Sequence, residues 1–180
     1  TAFAGAAFIC GLISAKDIAA HQIALSMASF TFNLCVGFSV ASTVMIGRKL
    51  GEKDFVNLEK VGFNNLKIAF IFMLMCGLVF ILGKDVLPTF FTKKEDIAVV
   101  ELASQLMIIA ALFQLSDGIQ VTALGCLRGI QDVKIPSILT FIAYWVITIP
   151  LGYYLTVPMK MGAFGMWIAL GIGLTISAVL

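Results

Sequence analysis

Long apolar stretches, separated by short polar connections, dominate this sequence. Hydrophobic residues make up 61% of its 180 residues and charged residues only 12%, whereas about a quarter of the residues in a soluble domain are charged. A bilayer core of about 30 Å takes roughly 20 helical residues to cross, which leaves room for about six spans. The pattern predicts a polytopic membrane protein and argues against a water-soluble fold.

The apolar runs predict six helices in one all-α membrane bundle. The first run is shorter than a span and the last stops within apolar sequence, so we expect the chain to be a piece of a longer protein. Pro136 precedes the fifth run, where a missing backbone donor is tolerated, and Pro150 inside that run predicts a kink. The runs cover residues 1–15, 18–46, 61–83, 97–127, 137–156 and 163–180.

The polar connections divide between the two sides of the membrane if every run crosses it. The connections at Arg48 and Arg128 then share one side, and those at Lys16, Lys84 and Lys160 share the other. Seven loop and helix-end cations lie on the first side and five on the second. This small excess favours the first side as cytoplasmic.

Glycines mark two similar connections. Each connection follows a long apolar run with an arginine, a glycine and an aspartate, and the glycine is predicted to cap the helix. Any helix that leaves the membrane can use these residue types, so the similarity does not establish an internal duplication. The residues of the two connections are Arg48, Gly51, Asp54 and Arg128, Gly129, Asp132.

Gly125 and Gly129 form a small-xxx-small pair that predicts a close helix contact.

Several function classes find no support in the sequence. The net charge is +2 and the cations are dispersed, which argues against a nucleic acid partner. The four cysteines are widely separated and have no metal-ligand spacing, so we interpret them as packing residues. The chain has no HExxH, GxSxG or Walker-type motif, so we predict neither an enzyme, nor a cofactor, nor direct use of ATP.

Asp117 is the most informative residue, because it lies twenty residues into the run 97–127. Its short side chain cannot reach the lipid headgroups, and a mid-membrane Asp costs about 2.5–3.5 kcal/mol on insertion scales. This cost predicts a compensating role, namely binding of a proton or a monovalent cation in a wet cavity. The structural alternative is a hydrogen bond between helices.

The neighbours of Asp117 predict the rest of a cation site. Gln114 and Gln120 lie three residues before and after it, and Phe113 lies one turn before it. We expect these side chains to share a polar face that lines an interior cavity. A carboxylate there can alternate between a protonated and an ion-bound state, which is the chemistry of ion coupling.

Other residues are candidates for a substrate cavity. Asn33, at mid-depth of the second run, offers an oxygen ligand or, alternatively, an interhelical hydrogen bond. Tyr144 and Trp145 are suited to stack on a flat aromatic cation, although packing or interface roles are the alternative. His21 and Gln22 lie near the end of the second run, where we expect ordinary hydrogen bonding at the membrane interface.

Four sequence strings together resemble the multidrug and toxic compound extrusion (MATE) family, particularly its NorM-type bacterial members. Each string alone is modestly specific, but their order matches helices seven to twelve of the family. The strings are AAHQIAL at 19–25, IGRKLG at 46–51, DGIQ at 117–120, and LRG at 127–129 followed by Asp132. The resemblance covers nearly the whole chain.

The resemblance implies that residues 1–180 form the C-terminal lobe of a two-lobed, twelve-helix transporter. Such a protein resides in the bacterial inner membrane and exports organic cations in exchange for sodium or protons, with the N-terminal lobe as partner. Asp117 matches the family's cation-site aspartate. The family tyrosine one turn earlier is Phe113 here, which leaves the coupling ion open, and a family glutamate aligns just before Thr1.

Two alternatives belong to other functional classes. A related flippase for lipid-linked oligosaccharides needs cations in its cavity, whereas the mid-membrane charge here is negative. A membrane scaffold subunit needs Asp117 only for hydrogen bonds between helices. The negative charge favours a cationic substrate.

Overall fold

The computed structural model describes residues 2–11, 13–92 and 97–179. In this part of the chain the predicted all-α bundle is confirmed, because six longer helices and one short 3₁₀ helix (Leu87–Phe90) follow one another and no strand occurs. The last four residues of the polar connection at 84–96 lie outside the described residues, as do Thr1, Leu12 and Leu180. The helices are α1 (Ala2–Gly11), α2 (Ala15–Gly51), α3 (Phe55–Gly83), α4 (Ile97–Gly129), α5 (Lys134–Thr156) and α6 (Gly162–Val179).

Five helices, α2 to α6, are long and apolar enough to cross a membrane. Their most apolar segments have mean hydropathies between 1.7 and 2.5. Helix α1 has ten residues, in line with the prediction that the first run is shorter than a span. Large apolar side chains such as Phe63, Met75 and Leu82 on α3 are exposed, as expected of a surface that faces lipid. The chain is therefore a multi-pass membrane protein.

Helix α4 lies at the centre of the bundle and contacts α2, α3 and α6. Its contact with α2 is close because α4 presents glycines there. A Cβ atom on Gly125 would overlap the carbonyl oxygen of Ser39, and one on Gly129 would lie 2.7 Å from Cβ of Ile46. The hydroxyl of Thr43 also donates to the Gly125 carbonyl at 2.9 Å. The predicted close contact at the small-xxx-small pair is confirmed.

The predicted glycine caps at Gly51 and Gly129 are wrong. Both glycines are the last residues of their helices, and the left-handed residues are Lys53 (φ 56°) and Gln131 (φ 65°). In each exit the left-handed residue and the aspartate after it donate backbone hydrogen bonds to the last helical turn, which is the Schellman arrangement. All four bonds measure 3.0 Å and run from Lys53 to Leu50, Asp54 to Lys49, Gln131 to Arg128 and Asp132 to Leu127.

The predicted division of the connections between two ends of the bundle agrees with the contacts. Gly47 near the end of α2 lies against the carbonyl of Gly129 at the end of α4, which brings the Arg48 and Arg128 connections together. At the other end, the Asp17 carboxylate accepts a hydrogen bond of 2.8 Å from the backbone N–H of Ala163. Which end faces the cytoplasm stays a prediction.

Helix α3 starts earlier than predicted, at Phe55 rather than at residue 61. The reason is a local cap, because Asp54 accepts a hydrogen bond from the backbone N–H of Asn57 at 3.3 Å. The carboxylate of Asp54 also pairs with Lys49 at 3.1 Å. The polar connection between α2 and α3 is therefore only three residues long.

Pro150 follows a π-helical segment of α5, which is one of the recognised causes of a helix kink, and the kink itself stays a prediction. The helix is continuous from Lys134 to Thr156, and its segment Ile142–Thr148 is π-helical. Proline lacks an N–H and crowds the carbonyl four residues before it, and a wider turn relieves this crowding. The N–H of Ile149 accordingly donates to the carbonyl of Tyr144, five residues earlier.

Candidate cation and substrate site

A cavity of about 760 Å³ lies among α2, α4 and α5. It extends along α4 from Phe113 to Arg128 and on to Asp132 after the helix, so it reaches from the interior of the bundle to the end at which α4 meets α5. Most of the surface that lines it is apolar. Five of the seven predicted site residues line it: Phe113, Asp117, Gln120, Tyr144 and Trp145.

Asp117 is 6% exposed and faces this cavity from the middle of α4. Among the described residues, no hydrogen-bond donor or cation pairs with its carboxylate. The described part of the chain also contains no group of three or more His, Cys, Asp or Glu side chains that could hold a metal ion. Asp117 is therefore an unpaired, buried acidic group in a largely apolar part of the cavity, suited to a proton or a monovalent positive charge.

Gln120 and Tyr144 are joined across the cavity wall. The Tyr144 hydroxyl donates to the Gln120 side-chain oxygen at 3.2 Å. The Gln120 amide nitrogen in turn donates to the hydroxyl of Ser177 on α6, which lies 3.5 Å from the hydroxyl of Thr140 on α5. One turn of α4 beyond Asp117, these bonds tie α4 to both α5 and α6.

Gln114 does not line the cavity, contrary to the expected shared face. It is 1% exposed, and its side-chain oxygen accepts a hydrogen bond of 3.0 Å from Thr31 on α2. Helical geometry explains the separation, because residues three positions before and after Asp117 lie about 60° to either side of it. Gln114 consequently points towards α2 and α3, whereas Gln120 points towards α5 and α6.

Asn33 also lies outside the cavity lining, and its expected roles as an ion ligand or interhelical donor are not seen. Its side chain is exposed and donates to the carbonyl of Ser29 on the same helix at 2.8 Å. The residue lies about 200° around the helix from Thr31, which faces α4. An asparagine in this position satisfies its donor locally.

The aromatic residues of α5 present two different surfaces. Trp145 is 51% exposed in the cavity wall and stacks on Phe141, with ring centroids 6.3 Å apart and planes at 25°. Tyr144 is half-buried and packs against Phe3 at 6.3 Å. Trp145 and Phe141 therefore offer exposed ring faces for a flat ligand, whereas Tyr144 offers chiefly its hydroxyl.

The sequence interpretation of the site missed Arg128 and Asp132, which line the cavity where it opens beside the α4–α5 connection. A signal was present in the spacing, because Arg128 lies eleven residues after Asp117 and so about 20° from it around the helix. Val121 and Leu124, on the same face between them, also line the cavity. From the sequence alone, the two residues are interpreted only as parts of a helix exit.

His21 does not make the hydrogen bonds expected of it at the membrane interface. It is fully buried, and its ring lies edge-on to that of Trp167 with centroids 6.0 Å apart. Neither ring nitrogen has a hydrogen-bond partner among the described residues. The residue belongs to the apolar core near α1 and α6.

Five membrane-spanning helices, glycine-mediated helix contacts and an interior cavity with one buried carboxylate define a polytopic helical membrane protein with an intramembrane binding site. The MatE family model matches residues 3–154. Since this match covers most of the sequence, the chain belongs to the MatE family.

Curated relatives and one solved structure agree with this membership. The chain is 39% identical over 172 residues to a probable multidrug resistance protein NorM of Xylella fastidiosa, a match that covers 96% of this chain and 36% of the relative. It is 37% identical to the multidrug resistance protein NorM of Burkholderia vietnamiensis, covering 100% and 40%. The crystal structure of the eukaryotic MATE transporter AtDTX14 matches with a TM-score of 0.92 at 19% identity, covering 99% and 40%.

The AtDTX14 match shows the fold, since the sequence identity is low. The chain spans about two fifths of the length of the relatives and of the solved structure that it matches.

Proposed function

We propose that this chain is the C-terminal lobe of a secondary active transporter that exports organic cations from bacterial cells in exchange for sodium ions or protons. The bacterial relatives are named multidrug resistance proteins, and each is about two and a half times as long. A second lobe of similar size fits that difference. The inner membrane is the proposed location, because an export antiporter draws on the ion gradient across it.

The observation that carries this proposal is the isolation of the Asp117 carboxylate in the cavity. A buried charge without a partner is costly, so a positive species has to neutralise it. Two positive species, a coupling ion and a cationic substrate, then compete for one carboxylate. Competition of this kind is the elementary requirement of antiport, because each bound species displaces the other.

The remaining cavity surface supports a flat organic cation as substrate. The exposed faces of Trp145 and Phe141 are suited to stacking and to cation–π attraction. The largely apolar walls favour a hydrophobic molecule that still carries a positive charge. Such a ligand would place its charge near Asp117 and its rings near α5.

The flippase alternative receives less support from the cavity. A lipid-linked pyrophosphate needs positive charge at depth, whereas the buried charge at mid-depth is the Asp117 carboxylate. Arg128, the one cation among the described residues that line the cavity, lies about 16 Å along α4 from Asp117. We therefore favour a cationic substrate, with no covalent chemistry at the site.

The test is efflux of a fluorescent organic cation from cells that express the full-length transporter, under imposed sodium or proton gradients. We expect Asp117→Asn to lower the initial efflux rate at least tenfold, because the variant lacks the charge that binds the positive species. A tenfold loss corresponds to roughly 1.4 kcal/mol. Asp54→Asn is the matched control and should retain efflux. The Asp54 carboxylate caps the start of α3 and does not line the cavity. Wild-type rates in Asp117→Asn would contradict the proposal.

A further inference from the structure

The direction of the hydrogen bond between Tyr144 and Gln120 determines what the phenol presents to the cavity. The hydroxyl proton is donated to the Gln120 oxygen. A phenolic oxygen whose proton is already committed can act towards other groups only as an acceptor. On the cavity side, Tyr144 therefore presents lone pairs rather than a donor.

The position of this oxygen is supported by one ring contact and by a backbone hydrogen bond. The ring packs against Phe3, with centroids 6.3 Å apart. The backbone carbonyl of Tyr144 accepts the N–H of Ile149 within the π segment. Segments of this kind are frequent at functional sites, because the extra residue in the turn changes the direction of a side chain.

Gln120 is itself oriented by a second hydrogen bond. Its amide nitrogen donates to Ser177, so its oxygen is the group that faces Tyr144. Gln120 is 6% exposed, and Ser177 also approaches Thr140. The order of donors therefore runs from Tyr144 to Gln120 and from Gln120 to Ser177.

Asp117 and Tyr144 face the same cavity from α4 and α5. Phe113, one turn before Asp117, provides no polar atom. A positive charge at Asp117 needs further oxygen ligands, and the oriented phenolic oxygen accepts no hydrogen bond from any residue that the structure describes.

We propose that Tyr144 is a specificity-determining residue of the ion site, whose phenolic oxygen binds the coupling cation held at Asp117. The oxygen serves a sodium ion as a ligand and a protonated Asp117 as a hydrogen-bond acceptor. Gln120 and Ser177 are positioning residues, which act by turning the hydroxyl proton away from the ion. This inference rests on the proposed antiport function and assigns the hydroxyl, rather than the ring, as the active part of Tyr144.

Tyr144→Phe in the full-length transporter removes this oxygen and keeps the ring. Tyr153→Phe is the matched control, since Tyr153 lies on the same helix, is 51% exposed and does not line the cavity. Two quantities are measured: the ion concentration, as sodium or as pH, that gives half-maximal efflux, and the KM for a fluorescent organic cation at saturating ion. We expect Tyr144→Phe to raise the half-maximal ion concentration roughly tenfold with little change in KM, because a hydrogen bond to a charged group is lost.

A second variant tests the positioning residues. Ser177→Ala keeps the phenol but releases the Gln120 amide, so the ion dependence should shift in the same direction by a few-fold. Ser177→Thr restores the hydroxyl and should return the ion dependence to the wild-type value. A merely structural role for Ser177 would lower protein yield and efflux without moving the ion dependence.

The outcomes separate this inference from the proposed function. If wild-type efflux depends on the ion and Asp117→Asn abolishes it, but Tyr144→Phe leaves the ion dependence unchanged, the inference is overturned and antiport stands. A rise in the substrate KM alone would also overturn it, because Tyr144 would then contact the substrate. If wild-type efflux requires neither ion, the proposed function and this inference both fall.

Discussion

The Asp17 carboxylate on α2 accepts a hydrogen bond from the backbone N–H of Ala163 on α6, at 2.8 Å and across 146 residues of sequence. The same carboxylate accepts a bond from Ser14 at the start of α2. One acidic side chain therefore accepts hydrogen bonds at the starts of two helices that are distant in sequence. An anionic group at a helix N-terminus is favourable because it meets unpaired N–H groups there.

This clamp, formed by the Asp17 carboxylate and the N–H of Ala163, makes a prediction about Gly162. Gly162 precedes Ala163 and has a φ of +59°. A Cβ atom there would lie 2.6 Å from an oxygen of Asp17. We expect Asp17→Ala and Gly162→Ala each to cost about 1–2 kcal/mol of stability. The double variant should cost less than the sum, because the clash disappears with the carboxylate. Thermal unfolding of the purified full-length transporter measures this, with Lys16→Ala as control, and strictly additive losses would argue against the clamp.

The Thr31–Gln114 pair predicts unequal effects of two substitutions. Thr31→Val removes the donor of a buried bond and leaves the Gln114 amide without a partner, which costs about 1–3 kcal/mol. Gln114→Leu costs less, because the Thr31 hydroxyl also bonds to the Ala28 carbonyl at 2.9 Å. Both variants should keep the wild-type ion dependence of efflux, since neither side chain lines the cavity. A changed ion dependence in Gln114→Leu would show that Gln114 belongs to the cation site and would contradict this prediction.

The two helix exits predict opposite responses at equivalent glycines. Gly129→Ala should destabilise by about 1–3 kcal/mol, because the new Cβ would lie 2.7 Å from Cβ of Ile46. Gly51→Ala should be neutral or stabilising by up to about 1 kcal/mol, since no other part of the described structure lies within 4 Å of the added Cβ and the backbone is helical. Unfolding temperatures of the two variants check this, and equal losses would show that Gly51 acts as a cap after all.

Hydropathy was sufficient to predict the helices, because apolar length is the property that a bilayer selects. The exact ends were less predictable, since they depend on local hydrogen bonds. Asp54 starts α3 six residues before the apolar run begins, and Lys53 and Gln131 take the left-handed positions expected of glycine. Pro150 signalled an irregularity in α5 but did not indicate its π-helical form.

The site was partly predictable for a geometric reason. A polar side chain inside an apolar helical run must face protein or a cavity rather than lipid. This rule identified Asp117 and Gln120. Which neighbouring helix each side chain meets is decided by tertiary packing, and this separates Gln114 from the cavity. Ser177 and Thr140 carried no signal of their own, because small hydroxyl residues are common in membrane helices.

The most direct test of the account is equilibrium binding of a fluorescent organic cation to the purified full-length transporter at increasing sodium concentration and at several pH values. If Asp117 is the shared carboxylate, the coupling ion should weaken substrate binding in the wild type. Asp117→Asn should bind the substrate with an affinity that no longer depends on that ion, because the linkage between the two sites is removed. Equal ion dependence in wild type and Asp117→Asn, or substrate binding that is indifferent to both ions, would contradict the account.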